Sequence, residues 1–212
     1  MTPGPRRIVL TGGPGAGKTA VLEIVKHSLC GHVAVTPESA SILFTGGFPR
    51  DAVEVAQCAA QRAIFHVQLE VEAIFDAKPD VEVVLCDRGT IDGVAYWPRS
   101  PETFLPEVES TLAAQLARYA TVIHLEPPPA GHGYHRNGVR HESAAEAAVI
   151  DARIAAAWSQ HPRLYSVAST PKFLEKVQRV LAIIEAELPT ECAAGTCSLA
   201  PPNGRAARHP AE

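Results

Sequence analysis

Short apolar runs alternate along this chain with longer segments in which apolar residues recur every three or four positions. That alternation predicts strands and helices taking turns. Arg7 to Thr11 reads as a first strand, and Lys18 to Leu29 as a helix with Leu22, Val25 and Leu29 on one face. Val33 to Thr36 is a second short strand ending at Pro37-Glu38, and Thr45-Gly46-Gly47-Phe48-Pro49 is a loop. Ile64, Val67, Val71 and Ile74 mark a long helix, and Val81 to Cys86 is the clearest strand, its apolar character suiting burial on both faces. Leu105, Val108, Leu112, Leu116 and Tyr119 predict one helix from Phe104 to Tyr119. Thr121 to Leu125 is a fourth strand, stopped by Pro127, Pro128 and Pro129. Ser143 with Glu146 three residues later has capping-box spacing and opens a helix that ends near Trp158. Leu164 to Val167 is a fifth strand, and Phe173, Leu174, Val177, Val180, Leu181 and Ile184 mark the last helix.

The alternation predicts an α/β fold with a mostly parallel sheet. Residues 1–188 are expected to form one domain. From Pro189 the periodicity stops, and residues 189–212 are expected to be a disordered tail.

Composition narrows the class. The formal net charge is -4, which supplies no general basic field for nucleic acid or anionic membrane. No apolar stretch approaches the roughly 20 residues of a membrane-spanning helix, and Ile8-Val9-Leu10 is too short for a signal peptide. Three of the five cysteines, Cys30, Cys58 and Cys86, fall in apolar segments, while Cys192 and Cys197 lie in the polar tail. Reduced thiols in a cytoplasmic protein are the expectation.

Chemistry enters at Gly12-Gly13-Pro14-Gly15-Ala16-Gly17-Lys18-Thr19, which fits G-x-x-x-x-G-K-[ST] between a strand and a helix. Glycines let successive N–H groups turn inward toward phosphate oxygens, and the helix adds its positive end. Lys18 is expected to reach the β and γ phosphates and Thr19 to bind Mg²⁺; Ala20 completes the phosphate-binding stretch. A competing dinucleotide reading takes Gly15-Ala16-Gly17-Lys18-Thr19-Ala20 as G-x-G-x-x-A with Glu38 as the ribose-binding acid, but leaves Lys18-Thr19 unexplained.

Asp87-Arg88 follows the strand Val81 to Cys86, where the functional groups of open α/β sheets gather. Asp87 there either holds Mg²⁺ or takes a proton from an attacking hydroxyl, and Arg88 pairs with a phosphate. The Gly-rich segment from Gly131 to Glu142 carries Arg136 and Arg140 and has the composition of a lid that closes over phosphate. His132, His135 and His141 in it match no metal-site spacing. Glu38, Arg62 and Gln68, with Arg88, are candidates for holding an acceptor.

Gly12 to Thr19, Pro37-Glu38-Ser39-Ala40, Gly46-Gly47-Phe48-Pro49, Gln61-Arg62-Ala63-Ile64-Phe65 with Gln68, Cys86-Asp87-Arg88-Gly89-Thr90 and Asn137-Gly138-Val139-Arg140 with Glu142 together resemble the small P-loop AAA-type ATPase domains related to the ribosylnicotinamide-kinase part of NadR-like proteins. The resemblance spans Arg7 to about Glu187. It implies a five-stranded parallel sheet of the nucleoside- and nucleotide-kinase type, helices on both faces and an arginine-bearing lid. Such relatives phosphorylate a small acceptor or bind GTP. Ser39 and Ser41 stand where related kinases often carry a basic residue after the strand-two glutamate.

Two functions follow as expectations. One is an ATP- and Mg²⁺-dependent phosphotransferase acting on a small nucleoside-like or hydroxylated acceptor, with Lys18, Asp87, Arg136 and Arg140 in catalysis. The other is a nucleotide-gated (ATP or GTP) binding protein or slow NTPase, read by a protein partner.

Overall fold

The computed structural model describes residues 4–128, 144–170, 172–189 and 192. Five strands, β1 (Arg6–Thr11), β2 (Val33–Val35), β3 (Val83–Asp87), β4 (Thr121–Leu125) and β5 (Leu164–Val167), form one sheet in the order β2-β3-β1-β4-β5. Every pairing is parallel. The strand order reverses beside β1, which places a crevice at the carboxyl ends of β1 and β3.

Alternating side chains bury both faces of the sheet. Ile8 and Leu10 of β1, Val83 and Leu85 of β3 and Ile123 and Leu125 of β4 meet α1 (Lys18–Ser28) and α8 (Phe173–Glu185) on one side. Val9, Val84, Cys86 and Val122 meet Ile154 and Trp158 of α7 (Ala144–Trp158) on the other. A third apolar cluster joins Cys58 and Phe65 of α3 (Glu54–Asp76) to Trp97, Phe104 and Val108.

The structure departs from the sequence expectation at several places. The helix expected over Phe104 to Tyr119 is two short ones, α5 (Phe104–Glu107) and α6 (Leu112–Leu116). Glu109 takes φ 51, and the N–H groups of Ser110 and Glu109 return to the carbonyls of Leu105 and Pro106 at 2.8 and 3.0 Å. That closure ends a helix however well the apolar stripe continues. Thr111 then caps α6 through its hydroxyl, which accepts from the Ala114 N–H at 3.2 Å. A seven-residue helix, α2 (Ser39–Thr45), occupies part of the stretch between Glu38 and Gly46 and packs on α3. A short helix, α4 (Gly93–Tyr96), follows a 3₁₀ turn over Thr90–Asp92. Helices this short leave no periodic signature.

The third strand begins at Val83 rather than Val81 and includes Asp87. The expected lid, with Arg136 and Arg140, the capping residue Ser143 and nearly all of the expected tail lie outside the described residues.

Candidate functional site

β1 ends at Thr11 and the chain curls through Gly12 to Gly17 before α1 begins at Lys18. Gly12 has φ 137, and a Cβ there would lie 2.2 Å from the Leu125 carbonyl oxygen at the end of β4. Gly17 caps α1 at φ 89, a left-handed conformation that glycine adopts without a steric cost. No other residue type fits both positions, and the resulting curl surrounds the amino-terminal end of α1.

Lys18 folds back over this curl. It is buried, and its Nζ donates to the carbonyl oxygens of Gly12 at 2.7 Å and Gly13 at 3.2 Å. Burial pulls its pKa from 10.5 down to about 7, the Arg88 charge adds to the fall, and Asp87, Asp92 and Glu38 oppose it. Thr19 and Ala20 are exposed on the first turn, and Thr19 borders the cavity.

Two buried contacts hold the loop from behind. Asp151 of α7 accepts the Gly13 N–H at 2.7 Å with the same oxygen that lies 3.0 Å from His124 Nε2. Lys176 of α8, 3 % exposed, donates from Nζ to the carbonyls of Ala16 at 2.8 Å and Glu126 at 2.6 Å. Turning the Ala16 carbonyl toward α8 leaves neighbouring N–H groups for the open side of the loop. Burial lowers the Lys176 pKa to about 8.

Asp87 closes β3 at the next strand. Its N–H donates to Thr36 Oγ1 at 3.2 Å, whereas its Oδ1 is buried and accepts no hydrogen bond from the described residues. Burial, then the neighbouring Glu38 charge, lift its pKa from 3.8 to about 6 against the pull of Lys18 and Arg88. A buried, unpartnered carboxylate oxygen is costly unless something else uses it.

Arg88 sits at φ 71, in the left-handed region. It donates from Nε to Glu38 Oε1 at 2.9 Å and from Nη1 to the Gly12 carbonyl at 3.4 Å, and lies 3.7 Å from Asp92 Oδ1. Its guanidinium stands 5.4 Å from the centroid of the Tyr96 ring. Burial pushes the Glu38 carboxyl up, but the Arg88 charge and hydrogen bonds from Ser41 and Arg88 hold it below its usual range.

Gln68 borders the cavity and also braces this arrangement. It is 3 % exposed, accepts from Ser39 Oγ at 2.6 Å, and donates to Glu72 at 2.9 Å and to the Arg88 carbonyl at 3.3 Å. Arg62 is not among the residues bordering the cavity; it pairs with Glu107 at 2.7 Å.

A cavity of about 710 Å³ joins these groups. Lys18, Thr19, Asp87, Glu38, Arg88, Phe44, Gln61, Phe65 and Tyr96 are among the residues that line it. The residues present suit a polyphosphate with a cation: a curl in which an added Cβ would clash at Gly12 and Gly13, a lysine whose ammonium meets loop carbonyls, and the Asp87 carboxylate on the same cavity.

Sequence reasoning missed Asp92, Asp151 and Lys176. Asp92 accepts from Thr11 Oγ1 and from the Gly89 N–H. A signal existed for Lys176, which falls on the α8 stripe three residues after Phe173 and four before Val180. Asp151 carried none, because its partner Gly13 is 138 residues away.

Fold and site define a P-loop nucleotide-binding domain of the nucleotide-kinase type. A family model for an AAA domain matches residues 7–176, and the chain belongs to that family. No curated protein matches the chain. Among solved structures, the NadR protein in complex with NR superposes with a TM-score of 0.67 at 13% identity, over 86% of this chain and 51% of NadR. NadR in complex with NAD and AMP-PNP gives 0.62 at 16%, over 88% and 51%. Thymidylate kinase from Candida albicans gives 0.60 at 14%, over 87% and 92%. The chain thus spans about half the length of NadR, and at these identities the likeness concerns the fold.

Proposed function

We propose that this protein is a Mg²⁺-dependent phosphotransferase that moves the γ-phosphoryl group of ATP to a hydroxyl of a small, nucleoside-like acceptor. The observation that carries this reading is that Asp87, at the end of the strand paired with β1, borders the same cavity as Lys18 and Thr19.

The loop Gly12 to Ala20 binds the phosphates through backbone N–H groups, and Lys18 leaves its loop carbonyls to meet them. Thr19 and Asp87 hold Mg²⁺, which supplies neutralisation of phosphate charge. In the alternative role, with Mg²⁺ left to Thr19 and the phosphates, Asp87 with its pKa of about 6 is ionised at neutral pH yet basic enough to accept a hydroxyl proton. Arg88 and Glu38 form a charged pair at the acceptor end, suited to a hydroxylated ring, and Phe65 and Tyr96 offer aromatic surface beside it. Arg136 and Arg140, from the segment before α7, stabilise charge on the transferring group.

The test is phosphate transfer from ATP over a panel of nucleosides, nucleotides, sugars and small alcohols, read by mass spectrometry with Lys18→Ala as the blank. A product one phosphoryl group heavier, absent with the variant, supports the reading and identifies the acceptor class. ATP or GTP binding with only slow hydrolysis across the panel would instead favour a nucleotide-gated binding protein.

A further inference from the structure

The amino-terminal edge of the sheet, opposite the phosphate loop, holds a cluster that the reading above does not use. α1 ends at Ser28, and Cys30-Gly31-His32-Val33 makes a tight turn into the edge strand β2, with the Val33 N–H on the Cys30 carbonyl at 3.1 Å. The His32 carbonyl accepts the N–H groups of Glu82 and Val83 at 3.0 and 3.1 Å, which fixes this turn to β3. From the other end of the chain, Glu187 is buried just past α8, where Thr121, Arg6 and Arg163 bond its carboxylate. Five residues on, Cys192 reaches the turn, with its N–H on the Pro189 carbonyl at 2.9 Å and its Sγ 3.5 Å from His32 Nδ1.

Two sulfurs and one imidazole nitrogen, from Cys30, His32 and Cys192, therefore lie within 4.8 Å of one another. A tetrahedral zinc ion with bonds of about 2.3 Å to sulfur and 2.0 Å to nitrogen holds its ligand atoms about 3.5–3.8 Å apart. The observed S···N separation already has that value, and the third atom needs only a small side-chain adjustment. Thiolate and imidazole donors together select zinc-class cations over Mg²⁺ or Ca²⁺, which require oxygen.

We propose that Cys30, His32 and Cys192 bind one soft divalent cation of the zinc class, which fastens the segment after α8 to the edge strand β2. Three protein ligands leave the fourth corner of the tetrahedron to solvent. The cation links sequence positions 160 residues apart, so it closes a long loop.

The experiment is anaerobic titration of the reduced full-length protein with Co²⁺ alone, followed by Zn²⁺. One Co²⁺ per chain should bind with intense visible d–d bands and a thiolate-to-metal charge-transfer band, and Zn²⁺ should abolish both. Cys30→Ser, His32→Gln and Cys192→Ser should each weaken binding more than about 100-fold, beyond what loss of an outer-shell partner produces, and leave nucleotide affinity unchanged. Cys192 lies beyond the last helix, so Cys192→Ser carries the test if the other variants fold poorly. Absence of a charge-transfer band, undiminished binding in Cys192→Ser, or a Cys30–Cys192 disulfide found by mass spectrometry in freshly isolated protein would each overturn the site. None of these readouts depends on phosphotransfer.

Discussion

Lys18 and Arg88 donate to one and the same carbonyl oxygen, that of Gly12, at 2.7 and 3.4 Å. Arg88 is already paired with Glu38 and lies beside Asp92, whereas the Lys18 ammonium donates to carbonyls, and a polyphosphate chain would supply Lys18 with an anion. Until it arrives, burial and the Arg88 charge disfavour the Lys18 ammonium and bring its pKa to about 7.

Nucleotide binding should therefore take up a proton at pH 8. Phosphate oxygens restore the ammonium, so calorimetry in buffers of different ionisation enthalpy should show a positive proton uptake that Lys18→Ala removes. The unliganded protein carries the matching stability signature. The unfolded chain binds the Lys18 proton up to about pH 10.5 and the folded chain only to about 7, so this group makes stability rise with pH between those values. Saturating nucleotide should flatten that slope.

Asp87 has the opposite sign. Its folded pKa of about 6 exceeds the unfolded 3.8, so its contribution to stability falls as pH rises across that window. If it is the base, kcat/KM for ATP should rise with pH through about 6 and fall again above about 7, where unliganded Lys18 loses its proton. Asp87→Asn should lower transfer at least about 100-fold. It should also remove the acid limb, with nucleotide still bound, as steady-state kinetics across pH would show.

Glu38→Gln probes the acceptor end. The carboxylate holds Arg88 Nε at 2.9 Å, and charged hydrogen bonds contribute about 1.5–3 kcal/mol. An acceptor hydroxyl that shares this carboxylate should lose affinity about 10- to 100-fold. KM for acceptor should rise while KM for ATP stays put, a split that initial-rate measurements read directly.

How much of this was written locally in the chain differs from element to element. The five strands were legible because each is a short apolar run bounded by turn residues, and Gly12 to Thr19 because its chemistry is contiguous. The break at Glu109 was invisible, since Leu105, Val108 and Leu112 keep helical spacing through a residue that turns left-handed. Arg62 looked like Gln68 in the sequence, two polar residues on one helix. Only the pairing of Arg62 with Glu107, 45 residues away, separates them. Lys176 and Asp151 gain their meaning from partners 160 and 138 residues distant, which no spacing encodes.

Lys176→Met should expose that dependence. Methionine fills the space but leaves the Ala16 and Glu126 carbonyls without their donor, a loss of about 1–3 kcal/mol. Thermal unfolding should show a lower Tm. Nucleotide affinity should fall further than stability alone explains, because the Ala16 peptide is then free to rotate. A melting shift with unchanged affinity would reduce Lys176 to a packing role.

Gly12→Ala and Gly47→Ala separate backbone conformation from crowding at two glycines with positive φ. Gly47 has φ 92 and nothing within 4 Å of an added Cβ, so alanine there should cost only left-handed strain, about 1–2 kcal/mol. Gly12 has φ 137, and the same methyl would meet the Leu125 carbonyl oxygen at 2.2 Å. Relief requires β1 and β4 to part or the loop to uncurl, and either moves the N–H groups that face the cavity. Gly12→Ala should therefore lose nucleotide binding along with more stability than Gly47→Ala, and nucleotide titration beside thermal melts would show both. Equal melting shifts with nucleotide binding intact would mean that the loop tolerates a wider curl, and that the phosphate-binding geometry inferred from Gly12 is wrong.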